Sequence, residues 1–347
     1  MASTGEKRCA AAVRERVLNA KLFCTALFGW SALALVPAVA GAQEPSGVWS
    51  LSVDNDLFGP GTDRNYTSGV RAAWTSSAAP PPELLEDVTQ TLAQSESEVR
   101  WGVSLAQNLY TPEDIEARTP DPNDRPYAGW LRLAIFGLAQ TDTRLDTLEA
   151  SIGVIGPAAL GEPTQSFVHD VIDADEPRGW DSQLENEPAV QLTLNRKYRG
   201  LFDFTEPGGL GFDLTPSLTA SVGTVHVYGA LGATARFGDD LDNDFGPPRI
   251  QPASPGSTFF RRRDGFGWYV FAGVEGRVVG RDATLDGNLW RDSPSVPKER
   301  FWGEAQAGLA VTYGDWRISY TYAARTRQFD GQDEGHRFGG VSVSYRY

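Results

Sequence analysis

Apolar and polar residues alternate with a period of two along most of this chain, and helical periodicity is rare. The alternation predicts strands near 48–54, 66–75, 98–108, 129–140, 146–155, 189–199, 211–221, 224–237, 267–279, 300–313, 316–328 and 337–347. In the third, Val99, Trp101, Val103 and Leu105 face one way, with Gly102, Ser104, Ala106 and Asn108 opposite. In the eleventh, Trp316, Ile318, Tyr320 and Tyr322 alternate with Arg317, Ser319 and Thr321.

A soluble sandwich and a membrane barrel both generate this pattern, and three features favour the barrel. Aromatic residues recur near strand ends (Trp49, Trp74, Trp130, Trp268, Trp302, Trp316), as in an interfacial girdle. The opposite faces carry Arg, Glu, Gln and small residues, which suit a lumen. The last strand sets Val341, Val343, Tyr345 and Tyr347 on one face and ends on an aromatic. The expected fold is therefore all-β: an antiparallel transmembrane β-barrel of about twelve strands with a short helix in an extracellular loop. With a periplasmic N-terminus, the outer connections are 55–65, 109–128, 156–188, the turn at 222–223, 280–299 and 329–336. The segment 238–266 is long for a periplasmic turn, so either the strand count slips there or this segment plugs the lumen.

The N-terminus gives the address. Arg8, Arg14, Arg16 and Lys21 precede an apolar run over 22–39, and Ala40-Gly41-Ala42 supplies small residues for cleavage. Residues 1–42 are expected to be a cleaved signal peptide, and 43–347 an outer-membrane β-barrel domain beginning at Gln43. Cys9 and Cys24 both fall in the signal, which removes disulfides, thiolate zinc sites and cysteine nucleophiles from the mature chain. Cleavage takes the formal charge from −14 to −17, with 26 Lys+Arg against 43 Asp+Glu. So acidic a chain is a poor partner for nucleic acid. It also repels anionic head groups unless local arginines or a bound cation intervene.

Two stretches carry candidate chemistry. Asp54, Asn55, Asp56, Thr62, Asp63 and Thr67 crowd the glycine-rich first outer connection. Their oxygens are what a hard divalent cation such as calcium selects, and the same composition also serves a hairpin turn. In the third outer connection Thr164 is placed to cap a helix, and Gln165, Val168, His169 and Ile172 follow at helical spacing before Pro177 and Gly179. Gln165 and His169, four residues apart, leave the same helical face. An imidazole there suits a proton acceptor and equally suits packing. The chain has no Gly-x-Ser-x-Gly elbow, His-Glu-x-x-His helix or phosphate-cradling glycine loop. A histidine with a hard cation and no nucleophile points to direct attack by water on an ester.

Several motifs resemble a known family. They are Asn55-Asp56, Asp63-Arg64-x-Tyr66-Thr67-x-Gly69, Asp124-Arg125-Pro126-Tyr127, Ile155-Gly156-Pro157 with Gln165-x-x-x-His169, Trp180-x-x-Gln183-x-Glu185-Asn186, and Phe271-Ala272-Gly273-Val274-Glu275. Together, from about 48 to 347, they resemble the outer-membrane lipid A 3′-O-deacylase family of LpxR type. The resemblance implies a twelve-stranded barrel with a calcium-dependent site at its outer-leaflet end, between the barrel wall and a loop helix. It implies hydrolysis of the ester that holds the 3′-acyloxyacyl chain on the lipid A of lipopolysaccharide. By position, His169 is the implied general base, and Asn55, Asp56 and Thr67 hold or orient the calcium and the substrate oxygen. Gln165 positions water or the substrate carbonyl, and Asp175 stands where the family can carry a Glu. Arg118, in Ala117-Arg118, stands where the family shows a basic pair, and is the implied contact for a lipid A phosphate, with Arg125 the alternative, which equally suits a structural pairing with Asp124. The implied partners are lipopolysaccharide and the outer membrane, with the protein a monomer. A non-enzymatic barrel, pore or structural, and an outer-membrane phospholipase are the competing readings.

Overall fold

The last strand returns to the first. In the computed structural model, which describes residues 47–59, 64–78, 81–83, 97–202, 204, 209–239, 241–246 and 259–347, β12 (His336–Arg346) pairs antiparallel with β1 (Gly47–Asn55), Leu51 opposite Val343. Between them run β2 (Asn65–Ser76), β3 (Glu98–Thr111), β4 (Ala128–Gln140), β5 (Arg144–Ile155), β6 (Glu187–Tyr198), β7 (Gly211–Gly223), β8 (His226–Gly238), β9 (Arg263–Asp282), β10 (Phe301–Gly314) and β11 (Trp316–Arg325). Each pairs with its sequence neighbour, so the twelve strands form one closed up-and-down barrel. Closure gives every strand a hydrogen-bonding partner on both edges, the condition for exposing a sheet to hydrocarbon. The expected signal peptide lies outside the described residues, as do Thr62 and Asp63.

The period-two pattern sorts residues as a lipid-facing wall requires. Val103, Leu105, Leu133, Ile152, Val190 and Leu192 are exposed, while Ser104, Asn108, Arg132, Glu149, Ser151 and Gln191 beside them are buried. The inward polar groups pair with one another: Arg71 reaches Glu149 at 2.7 Å, Arg325 reaches Glu304 at 2.7 Å, and Arg277 reaches Glu275 at 2.6 Å. Arg277 also stacks on Trp302 at 4.4 Å. A lumen built this way meets the need that buried charges be compensated.

The eleventh strand stops at Arg325, short of the expected 328: beyond it the Gly303 N–H donates to the Thr326 side-chain hydroxyl at 3.0 Å instead of continuing the backbone ladder. The ninth runs longer than expected on both sides. His336, expected in a short loop, opens β12 and is buried.

The strand count stands, and the described parts of the long connection after β8 pack inside the lumen. In its described part, Asp244 is fully buried between Arg236 at 2.9 Å and Arg317 at 2.6 Å, and accepts from the Tyr269 hydroxyl at 2.9 Å. Phe245 packs with Phe136, Leu138 and Leu145. Phe260 lies beneath the Arg317 guanidinium, 5.0 Å away. Replacing Asp244 with alanine leaves two buried arginines short of a carboxylate, a change worth roughly 3–5 kcal/mol. Asp244→Ala is expected to lower the thermal unfolding temperature and raise single-channel conductance in planar bilayers. Unchanged conductance and stability would show that the segment is not a plug.

Candidate functional site

The site is assembled on the outside of the barrel wall, at the rim from which the connections β1–β2, β3–β4 and β5–β6 leave. Outward-facing residues at that rim form a transverse row. Asn55 is opposite Ser68, Ser68 is opposite Leu109, and Leu109 is opposite Gly129. Adjacent strands are about 4.8 Å apart, so Asn55 and Leu109, two strands apart, have backbones roughly 10 Å from each other.

A helix lies on this row. The β5–β6 connection makes a short 3-10 turn at Pro157–Ala159 and then α1 (Gly161–Ile172). A methyl group on Gly129 would stand 3.2 Å from the Ala159 Cβ, and one on Gly161 would stand 2.5 Å from the Trp180 ring. Glycine at both positions lets the connection rest directly against the wall. Outward-facing Gln107 anchors it, donating to the Ala159 carbonyl at 2.7 Å. Thr164 is not the helix cap: α1 begins three residues earlier, after Leu160 in the left-handed region, and the Thr164 hydroxyl instead accepts from Gln107 at 3.2 Å.

Gln165 and His169 both face the wall and are buried. The Gln165 carbonyl oxygen accepts the indole N–H of Trp180 at 2.8 Å. An indole only donates, so this bond fixes the amide's orientation and turns its NH2 the other way. That nitrogen is buried without a protein acceptor among the described residues. Trp180 is itself held by Leu109 and Tyr127, its ring 4.8 Å from that of Tyr127. The His169 Nδ1 meets the backbone carbonyl of Asp175. A carbonyl only accepts, so Nδ1 bears the proton and Nε2 the lone pair. The exposed Asp175 carboxylate is not the group in this contact, so the bond does not depend on the side chain there.

The oxygens of the first connection leave the same rim on the neighbouring strands β1 and β2. The Asn55 amide oxygen accepts from Leu57 N–H at 2.7 Å and caps the 3-10 turn Asp56–Phe58. Asp56 is fully buried and accepts from Arg64 N–H at 2.9 Å. Thr67 occupies a bulge between Tyr66 and Ser68, and its hydroxyl lies 2.7 Å from that of Thr111 on β3. Bulges re-aim side chains near sheet rims. Asp54 leaves this group: it points inward and accepts from the Tyr66 hydroxyl at 3.2 Å. The Arg64 guanidinium pairs with Glu113 and so ties the first connection to the second.

The donors at Asn55, Asp56 and Thr67 are oxygens throughout, and no group of three or more His, Cys, Asp or Glu side chains suited to a metal occurs among the described residues. That chemistry fits a hard cation held by amide, hydroxyl and one carboxylate, and does not fit zinc. The two expected phosphate contacts separate. Arg118 is exposed on the second connection. Arg125 is buried, donates to the Thr284 hydroxyl at 3.0 Å and lies over the Tyr110 ring at 4.9 Å. Burial pulls its pKa below the ordinary arginine value, with Asp282 opposing the shift. Arg125 therefore braces the interior and is not at a surface where a phosphate could meet it. Trp180, Gln107, Gly129 and Thr111 were not expected as site residues. Only Trp180 stood in a recognised motif, without a role.

The family model described as outer membrane protein LpxR matches residues 27–347. Among solved structures, LpxR from Salmonella typhimurium aligns with a TM-score of 0.71 at 21% identity, covering 86% of this chain and 100% of that one. The beta domain of the Bordetella autotransporter BrkA reaches a TM-score of 0.44 at 9% identity, over 88% and 99% of the two chains. The translocator domain of NalP from Neisseria meningitidis reaches 0.36 at 12% identity, over 97% and 98%. No curated protein sequence matches this chain.

The seating of α1 is open to test. Gly161→Ala places a methyl group against a buried indole, an overpacking worth roughly 1–3 kcal/mol. Amide exchange is expected to accelerate across 161–172 while the barrel strands stay protected. Unchanged protection of the helix would contradict the close packing described here.

Proposed function

The chain belongs to the family of the outer membrane protein LpxR, and on that premise we propose that it is a calcium-dependent lipid A 3′-O-deacylase of the outer membrane. The observation that carries the proposal is the position of the site. The helix that carries His169 and Gln165 is seated against Leu109 and Gly129, in the outward row that continues two strands on to Asn55. A lipid diffusing in the outer leaflet reaches such a site sideways, without entering the lumen. The plug and the paired charges inside the barrel argue against a pore.

In this reaction the His169 Nε2 accepts a proton from water as the water oxygen attacks the carbonyl carbon of the 3′-acyloxyacyl ester. The oriented NH2 of Gln165 donates to the carbonyl oxygen as negative charge gathers there. The imidazolium then returns its proton to the departing sugar oxygen, leaving a free 3-acyloxyacyl acid and a 3′-hydroxyl. Asn55, Asp56 and Thr67 would hold calcium, which supplies positive charge to the developing oxyanion. Arg118 is an exposed cation available to a lipid A phosphate.

His169→Ala is expected to lower release of the acyloxyacyl chain by about 10²–10⁴-fold, and a chelator to abolish it. Both effects are read by mass spectrometry of lipid A. Full activity in His169→Ala removes the proposed base. Release of fatty acid from glycerophospholipid with lipid A intact would favour the phospholipase instead. Trp180→Phe keeps an aromatic ring but loses the indole N–H donor, and one hydrogen bond is worth about 1 kcal/mol. It is expected to lower kcat about fivefold at unchanged KM, with no further loss when Gln165 is already alanine. Additive losses would mean that Trp180 does not act through Gln165.

A further inference from the structure

Helix α1 has three faces, and the site uses one. At about 100° per residue, Gly161, Gln165 and His169 lie against the wall, and all three are buried. One flank carries Glu162, Ser166 and Asp170. The other carries Thr164, Phe167, Val168 and Val171, and exposed Leu160 immediately precedes the helix. That second flank is apolar and open: Phe167 is 65% exposed and Val171 46%, with Leu160 before them at 54%. A contiguous apolar strip on a helix that already buries another face calls for an occupant.

We propose that α1 is an interfacial helix, its Thr164–Phe167–Val171 flank immersed in the acyl-chain region of the outer leaflet and its Glu162–Ser166–Asp170 flank turned to the aqueous side. Continuity with the lipid-facing wall identifies the occupant. The helix begins against Gly129, and the next outward residues down β4 are Leu131 and Leu133, the latter exposed. At about 3.3 Å per residue, Leu131 lies only about 7 Å below that seat. The apolar flank thus starts where the apolar belt of the barrel ends. Acidic groups occupy the opposite flank, where they avoid hydrocarbon. This is the division of an amphipathic helix lying in a membrane surface. The inference does not rest on the deacylase reading. It also sets the depth of Gln165 and His169 at the boundary between head groups and acyl chains, where a lipid's ester linkages lie.

The test uses the full mature chain in phosphatidylcholine vesicles. Both cysteines of the sequence lie at positions 9 and 24, within the expected signal, so a single introduced thiol can be labelled with bimane. Labels at Phe167→Cys and Val171→Cys are expected to be quenched by doxyl-labelled phosphatidylcholine as strongly as a label at Leu133→Cys on the wall. They are expected to resist iodide several-fold better than a label at Asp170→Cys. Agreement between the two flank positions guards against disturbance by one label. Iodide quenching at Phe167 and Val171 equal to that at Asp170 would overturn the proposal. So would shielding that appears in native outer-membrane fragments and vanishes in vesicles, which would assign the flank to a protein partner.

Discussion

A sheet facing hydrocarbon must satisfy every backbone donor and acceptor within itself, and here that is achieved by pairing β12 with β1. Closure fixes the two sides of every strand. Odd and even positions then have no choice: one set meets lipid and must be apolar, the other meets the lumen and can be charged. The charged set is self-compensating, with Arg71–Glu149, Arg277–Glu275 and Arg325–Glu304 pairs along the wall and Asp244 between Arg236 and Arg317 across the plug. Closure also decides where chemistry can happen. Asn55, Thr67 and the α1 seat fall on the lipid-facing parity at the rim, so the candidate site opens to the leaflet and not to the lumen.

Two short-range bonds then set the chemistry of that site. A carbonyl facing Nδ1 of His169 selects its tautomer, and an indole N–H facing the oxygen of Gln165 selects its amide orientation. Neither partner can exchange its role, because a carbonyl has no proton to give and an indole has no lone pair to offer. The result is a nitrogen lone pair and an amide donor held on one helix face, at the rim that also carries the oxygens of Asn55 and Thr67. That combination suits addition of water to an ester, and the outer-wall position suits an ester buried in a lipid.

Much of the fold was legible because a membrane wall enforces period two over whole strands. The twelve predicted segments coincide with β1–β12 apart from their ends, and the rim carrying the first three outer connections follows from their parity. The misread features are those fixed by distant contacts. Thr164 resembled a cap, yet the helix start is set by Gly161 against Trp180 and Gly129, which no local pattern reveals. Arg125 resembled a surface cation, yet its guanidinium reaches Thr284, more than 150 residues away in sequence. Asp54 looked like one of a cluster of ligands, yet strand alternation sends it to the opposite side of the wall from Asn55. The 238–266 connection was recognised as too long for a turn, and the Asp244 contacts that draw it inward come from three separate strands.

The central claim is that water, ester and cation meet between α1 and the outer wall. A crystal structure grown with calcium and a lipid A bearing a non-hydrolysable 3′-linkage tests it most directly. The account predicts a cation about 2.3–2.6 Å from oxygens of Asn55, Asp56 or Thr67, with the 3′-linkage facing the Nε2 of His169 and the acyl chains lying outside the barrel. A lipid head group bound in the lumen, or a cation bound away from the first connection, would contradict it.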